Sequence, residues 1–400
     1  MKINMHTQNF LHALVLFVLV FAAGCNSTTV RTTDREQITA QPAEIPEEML
    51  LDVGIGIFDP GVDGLSSEEG VYPKIREAEA RFVPFQLMTT MQNSGNWGTV
   101  RVIPGRQSEM DLWIDGEILR SDGENLHLLV RVQDSSGKTW YTKKYTDEAS
   151  KYSYDTSLPN RSEPFQGIYN AIANELLLRY RQLSPTQVAN LRLITELKFA
   201  RAFSAESFSE HLGLDDKGRY VVTRLPAEDD PILQRIRQIR ERDYMFVDTL
   251  QEYYASFVRT MEVPYLEWRR AYYEENQALQ EVRSQARNRI IGGALAVLAG
   301  ILAQGVDSRT ARTAGAVGIG AGATAVMSGL NKREEAKVHA EALQEISASM
   351  DAEMEPHTMK LENRTVTLSG SVNEQYGQWK QLLKEIYDAE TGVEQTAPQG

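Results

Sequence analysis

The sequence predicts an α+β fold: a small antiparallel sheet with flanking helices, then a long helical stalk carrying a Gly-rich helical hairpin. Three observations carry this expectation. Residues 100–145 hold alternating apolar runs separated by glycine turns, the pattern of half-buried strands. Residues 231–289 repeat apolar side chains at three-four spacing, as the seam of a packed or coiled helix does. Residues 290–303 and 314–330 are two charge-free runs rich in small side chains.

Composition bounds the function. The chain has 400 residues, 42% of them hydrophobic, enough for two or three domains with a buried core. Against 55 acidic residues stand 42 Lys and Arg, a net charge of −13. A nucleic-acid binder would show a basic face instead. A lone cysteine, Cys25, excludes an intramolecular disulfide, a thiolate zinc site and a CxxC redox motif. The histidines (His6, His12, His127, His211, His339, His357) are scattered and form no HExxH. No metal, no catalytic residue and no nucleic-acid partner is therefore expected.

The amino terminus reads as an address. After Lys2 and a short polar stretch, residues 13–23 are an unbroken run of 11 apolar residues, followed by Gly24 and Cys25. That is too short for a spanning helix and has the form of an export signal. The segment Ala22-Ala23-Gly24-Cys25 resembles the lipobox of bacterial lipoproteins, with Ala22 where Leu is most usual. The resemblance implies removal of residues 1–24 and lipidation of Cys25, the only cofactor-like group expected. Asn26, rather than Asp, implies sorting to the outer membrane, facing the periplasm. Residues 25–47 lack apolar periodicity and are expected to be a flexible tether, spanning roughly 25 Å for about 20 residues.

Residues 48–184 are expected to form the α/β domain. Residues 50–58 (LLDVGIGIF) alternate and end at Asp59-Pro60-Gly61, a strand entering a turn. A helix opens at Ser67-Glu68-Glu69, carries Ile75, Phe82, Phe85 and Met88, and breaks at residues 93–96 (NSGN). Strands follow at 100–103 and from Leu112, then at 126–132 and 140–145, with Ser121-Asp122-Gly123 and Ser135-Ser136-Gly137 as turns. Ile168, Ile172, Leu176 and Tyr180 give the closing helix its apolar stripe. The helices are expected on one face of the sheet.

Residues 111–116 (DLWIDG), 128–134 (LLVRVQD) and 137–140 (GKTW) resemble a pattern of small periplasmic α/β domains. That group includes the amino-terminal domain of TolB, the LpoB-type lipoprotein activators of penicillin-binding proteins and the curli secretion-channel lipoprotein. The likeness spans about a third of the chain, rests on turn glycines and strand positions, and implies a fold and a compartment without a catalytic set.

Residues 185–356 are expected to be the helical stalk. A helix over 185–203 precedes a hairpin at 213–225, where Asp215-Asp216 reads as a solvated turn. On the long helix the expected seam is Ile232, Ile236, Ile239, Phe246, Leu250, Tyr253 and Phe257, interrupted by Asp243. Pro264 should kink or break it. Tyr253 is expected in the core; Trp268 stands equally between the core and a partner surface. The hairpin, 290–330, carries Gly292, Gly293, Gly300, Gly315, Gly318, Gly322 and Gly329, small-residue faces that let helices approach closely. Two readings of it stand: a glycine zipper inserted in a bilayer, flanked by Arg287, Arg289, Lys332 and Arg333, or a tightly packed hairpin in a soluble oligomer. A charged helix should follow over 332–354. Residues 357–400 close with a strand at 364–372 and a helix at 374–387. That pair resembles half of a BON domain, and equally suits a strand completing another sheet.

The function expected is a non-enzymatic outer-membrane lipoprotein, acting as a periplasmic scaffold or partner-binding assembly factor of the envelope. The alternative is an oligomeric subunit of an envelope transport or secretion complex, as channel or collar. A wall-active enzyme is the third class; it would need an acid pair in a cleft, since no GxSxG or catalytic cysteine is present. Expected partners are membrane lipid through Cys25 and residues 290–330, further copies of the chain, and an envelope protein of unassigned identity.

Overall fold

The computed structural model describes residues 36–40, 45–62, 73–106, 109–150, 152–155, 163–227, 229–302, 341, 357–361 and 364–391, with backbone alone at 275, 278–302, 357–361 and 364. Its centre is a five-stranded sheet in the order β2-β1-β3-β4-β5. The strands are β1 (Val53–Gly56), β2 (Val100–Ile103), β3 (Leu112–Ser121), β4 (Asn125–Asp134) and β5 (Thr139–Glu148). β1 runs parallel to both β2 and β3, while β3, β4 and β5 form an antiparallel meander. The sheet is thus mixed, a correction to the antiparallel expectation. Helix α1 (Pro73–Ser94) returns the chain to the end where β1 began, so β2 must run parallel to it. β1 is buried at all four positions, as suits a strand covered on both faces.

Helices α1 and α2 (Gln166–Tyr180) bury most of the stripe expected of them: Ile75, Phe82 and Met88 from one, where Phe85 is half-buried, and Ile168, Ile172, Leu176 and Tyr180 from the other. α1 stops where Gly95 adopts φ +66°, a left-handed position that glycine occupies without steric cost.

Beyond Ser184 the chain stays in the same core. Ser184 caps α3 (Pro185–Phe203) in a capping box with Gln187, which satisfies two orphan N–H groups of the first turn. α3 lies across one end of the sheet: the Ser135 hydroxyl donates to Leu191 O, and Arg192 donates to Leu50 O at 2.9 Å. After the one-turn α4 (Ala205–Phe208), β6 (Leu212–Leu214) and β7 (Tyr220–Val222) form the expected hairpin. Asp215 is a turn residue, accepting N–H groups of Lys217 and Arg219 and the Arg219 side chain.

Helix α5 (Pro231–Leu302) is one continuous helix of 72 residues with Pro264 inside it, so of the kink or break expected at Pro264 the break does not occur. Met261, Tyr265 and Trp268 are all buried around it, and that packing outweighs the hydrogen bond a proline removes. Ile236, Ile239, Phe246, Leu250 and Phe257 are buried as expected, whereas Ile232 is exposed and Tyr253 half-buried beside a buried Tyr254. Trp268 belongs to the core, 2% exposed. The residues 233–271 therefore act as a core element, and α5 also closes the open edge of β2. The Gln251 amide accepts the Val102 N–H at 2.9 Å and donates to Val102 O at 2.8 Å, the pairing a neighbouring strand would supply.

Gly123, in the turn between β3 and β4, fixes where α5 crosses. A Cβ there would lie 1.8 Å from Arg269 O and 2.5 Å from Tyr273 N, backbone atoms that cannot rotate away. Gly123→Ala should lower stability by about 2–3 kcal/mol, read as a shift of the denaturation midpoint. An unchanged midpoint would mean that α5 is not seated on this turn.

Asp243, expected to interrupt the seam, is fully buried. It accepts from Trp379 Nε1 at 3.2 Å and pairs with Lys380 Nζ at 3.1 Å, joining α5 to α6 (Val372–Thr391). The strand expected at 364–372 is β9 (Arg364–Leu368); it pairs with β8 (His357–Leu361) in a separate two-stranded sheet and completes no other.

Within the tether expected at 25–47, residues 25–35 and 41–44 lie outside the described residues, and 36–39 are not free chain. Glu36 to Thr39 are held against α2 by side-chain amides, with Ile38 packed on the core. Polar partners hold this segment, so apolar periodicity could not reveal it. The helix expected over 332–354 falls almost wholly outside the described residues.

Candidate functional site

Of the residues singled out from sequence, Cys25, Gly315, Gly318, Gly322 and Gly329 lie outside the described residues, while Gly292, Gly293 and Gly300 fall on the backbone of α5. Among the described residues no helix is long and apolar enough to cross a membrane, and no group of three metal-ligating side chains occurs.

The structure instead brings together a charged cleft of about 690 Å³ where α3, α5 and the segment before β1 meet, a volume within the range of small-molecule sites. Its floor is Asp111, 3% exposed and immediately before β3. Asp111 accepts the Thr195 hydroxyl at 2.6 Å and the Asp52 N–H at 2.9 Å. Burial raises its carboxyl above the ordinary value, and the Thr195 and Asp52 donors oppose that shift. Those donors tie β1, β3 and α3 into one corner, so Asp111 is a fastening residue of the cleft.

One wall comes from α5. The Arg240 guanidinium lies 5.1 Å from the centroid of the Tyr244 ring, and Arg101 of β2 covers the same ring at 4.5 Å. Arg101 is anchored by Asp248 at 2.7 Å. Burial pushes the Tyr244 hydroxyl up to about 12, so it stays a neutral donor at any physiological pH. The opposite wall comes from α3, where Glu196 holds Arg237. Six carboxylates (Glu47, Glu48, Asp52, Asp111, Glu196, Glu241) and three guanidinium groups (Arg192, Arg237, Arg240) line the cleft. The balance is acidic and favours groups bearing positive charge.

In the sequence Asp111 belongs to a strand motif, and neither Arg240 nor Tyr244 stands out from its helix. Their signal was present: Arg235, Arg237, Arg240 and Arg242 crowd eight residues of an otherwise acidic chain. Their acidic partners lie on other elements, so the crowding reads as a solvated helix face until the fold is known. No family model, no curated protein and no solved structure matches this chain.

Proposed function

We propose that the protein is a non-enzymatic, lipid-anchored scaffold of the outer membrane that holds an α/β body on the periplasmic side and presents it to an envelope partner. The observation that supports this reading is the continuity of one helix, α5, from the packed body into the first glycine-rich run. On the carboxyl side, α5 continues as one helix to Leu302, within that run. On the amino side stands Ala22-Ala23-Gly24-Cys25. A lipidated cysteine would anchor firmly, since each buried methylene contributes about 0.8 kcal/mol. The helix beyond the body would act as the stalk, and residues 290–330 as its apolar tip.

Cys25→Ser tests the anchor. The substituted chain should leave the membrane fraction and appear soluble or in the inner membrane, while the unsubstituted chain sediments with the outer membrane. If the variant stays entirely in the outer membrane, the lipid is not the main tether. Deleting 290–330 in that variant then shows whether the apolar run holds it.

A further inference from the structure

The contact between residues 36–39 and α2 is built like a peptide-binding site. Gln166, Asn170 and Asn174 stand four residues apart on α2 and form a ladder of amides. Asn170 Nδ2 donates to Glu36 O at 2.7 Å, and Asn174 Nδ2 donates to Gln37 O at 2.8 Å. Asn174 Oδ1 accepts the Thr39 N–H at 2.8 Å, and Asn96 Nδ2 donates to Thr39 O at 2.8 Å. The ladder is oriented from behind: Gln166 Nε2 donates to Asn170 Oδ1 at 3.0 Å and to Thr90 Oγ1 at 2.9 Å. Asn170 is thereby turned with its NH2 toward the bound segment. With the segment docked, Asn96 is 2% exposed.

Four backbone groups of the segment are satisfied by side chains, as an adjoining strand would satisfy them. Ile38 alone contributes an apolar side chain to the core, and its neighbours are exposed. Recognition is through the main chain with one apolar plug. Such a contact holds firmly enough to order the chain yet can open without disturbing the core, because each hydrogen bond is worth only about 1 kcal/mol net.

We propose that this amide ladder is a latch on the chain between Cys25 and the body, and that it sets how far the body stands from the membrane. The reach rests on the lipid-anchor reading; the latch does not. With the latch closed, the chain from Cys25 to Glu36 is 11 residues long and spans at most about 40 Å. With it open, the limit from Cys25 to the 3-10 turn at Glu47–Met49 is about 75 Å. Opening the latch would roughly double the distance across which the body can meet a partner.

The test uses the full-length lipidated protein in vesicles of phosphatidylethanolamine and phosphatidylglycerol carrying a headgroup acceptor dye. A donor dye is placed on Asp216→Cys, in the exposed turn between β6 and β7. Two variants open the latch: Asn170→Leu with Asn174→Leu on the body, and Ile38→Asp on the strap alone, which leaves every body residue in place. Hydrogen exchange of the peptide covering 36–40 reads the latch directly. The Thr39 amide, the backbone N–H of this segment that the ladder accepts, should exchange about tenfold faster or more in both variants, the size expected when net-favourable contacts of about 1 kcal/mol each are lost. Energy transfer to the headgroups should fall in both.

Unprotected exchange in the unsubstituted chain, or unchanged exchange in the variants, would overturn the latch. Faster exchange with unaltered energy transfer would overturn its control of reach. Absence of acyl mass on Cys25 would overturn the lipid-anchor reading and the reach with it, and the exchange result would still decide the latch.

Discussion

Replacing Glu79 by Ala should destabilise the fold by about 3–5 kcal/mol, the range seen when one partner of a buried ion pair is removed. Glu79 sits on α1 with no exposed surface, and Arg76, one turn earlier, is 4% exposed with its Nε 3.6 Å from the carboxylate. Glu79 Oε1 also accepts the Ser121 hydroxyl at 2.5 Å and the Tyr265 hydroxyl at 2.6 Å. One carboxylate therefore ties α1 to β3 and α5. Alanine would strand a buried guanidinium and two hydroxyls, which is why the expected loss exceeds that of an ordinary cavity. Chemical denaturation reads it; a loss under 1 kcal/mol would show that the cluster does not hold these elements together.

The same residue gives a pH signature. Burial raises the Glu79 carboxyl above its ordinary value, while Arg76, Ser121 and Tyr265 oppose the shift. The folded chain thus holds this proton more tightly than the unfolded chain. The stabilisation is full below the unfolded pKa and is lost as pH rises through the folded one. Glu79→Gln has no proton to lose, so its stability should fall less over that window than the unsubstituted chain's. Asp111, raised by burial in the same sense, keeps its own share of the slope. An identical pH profile for the two chains would show that Glu79 does not titrate differently on folding.

Arg269→Ala should cost a similar amount, about 3–5 kcal/mol. Arg269 is 2% exposed on α5 and makes a two-pronged pair with Glu163 at 2.5 and 3.0 Å. Its guanidinium lies 4.0 Å from the centroid of the Tyr265 ring, with Phe82 and Phe165 within 6 Å. Desolvated cation–π contacts of this kind are each worth up to about 2 kcal/mol. The substitution leaves Glu163 unpaired where α2 begins and removes the cation from three rings. Arg269→Lys keeps the charge but not the planar fork, so it should recover only part of the loss. If Arg269→Ala unfolds at the same denaturant concentration as the unsubstituted chain, α5 is an appendage of the body and not part of it.

Local features made much of the fold legible. The meander shows in its alternation and in the glycines at 123 and 137; the end of α1 shows in Gly95; the start of α3 shows in Ser184-Pro185. Pairing across long separations was hidden. Nothing near β1 states that β2 will lie beside it and parallel to it. Charged residues misled for the same reason: Asp243 reads as a break in an apolar seam until Lys380, 137 positions away, is seen to neutralise it. Arg76, Glu79 and Arg269 are likewise core residues only in the company of distant partners. Pro264 does not break α5, because the packing of Met261, Tyr265 and Trp268 around it holds the helix together. The strap at 36–39 escaped notice because amides hold it. In the cleft, Asp111 was visible as a strand residue, but its meeting with Arg240 and Tyr244 depends on where α5 crosses.

The most direct measurement is the mass of the amino-terminal peptide of the protein purified from intact envelopes. A lipid-anchored scaffold should yield a peptide that begins at Cys25 and carries diacylglyceryl and an amide-linked acyl chain, with residues 1–24 absent. A peptide that retains residues 1–24, or an unmodified Cys25 thiol, would contradict the lipid anchor on which the proposed function stands.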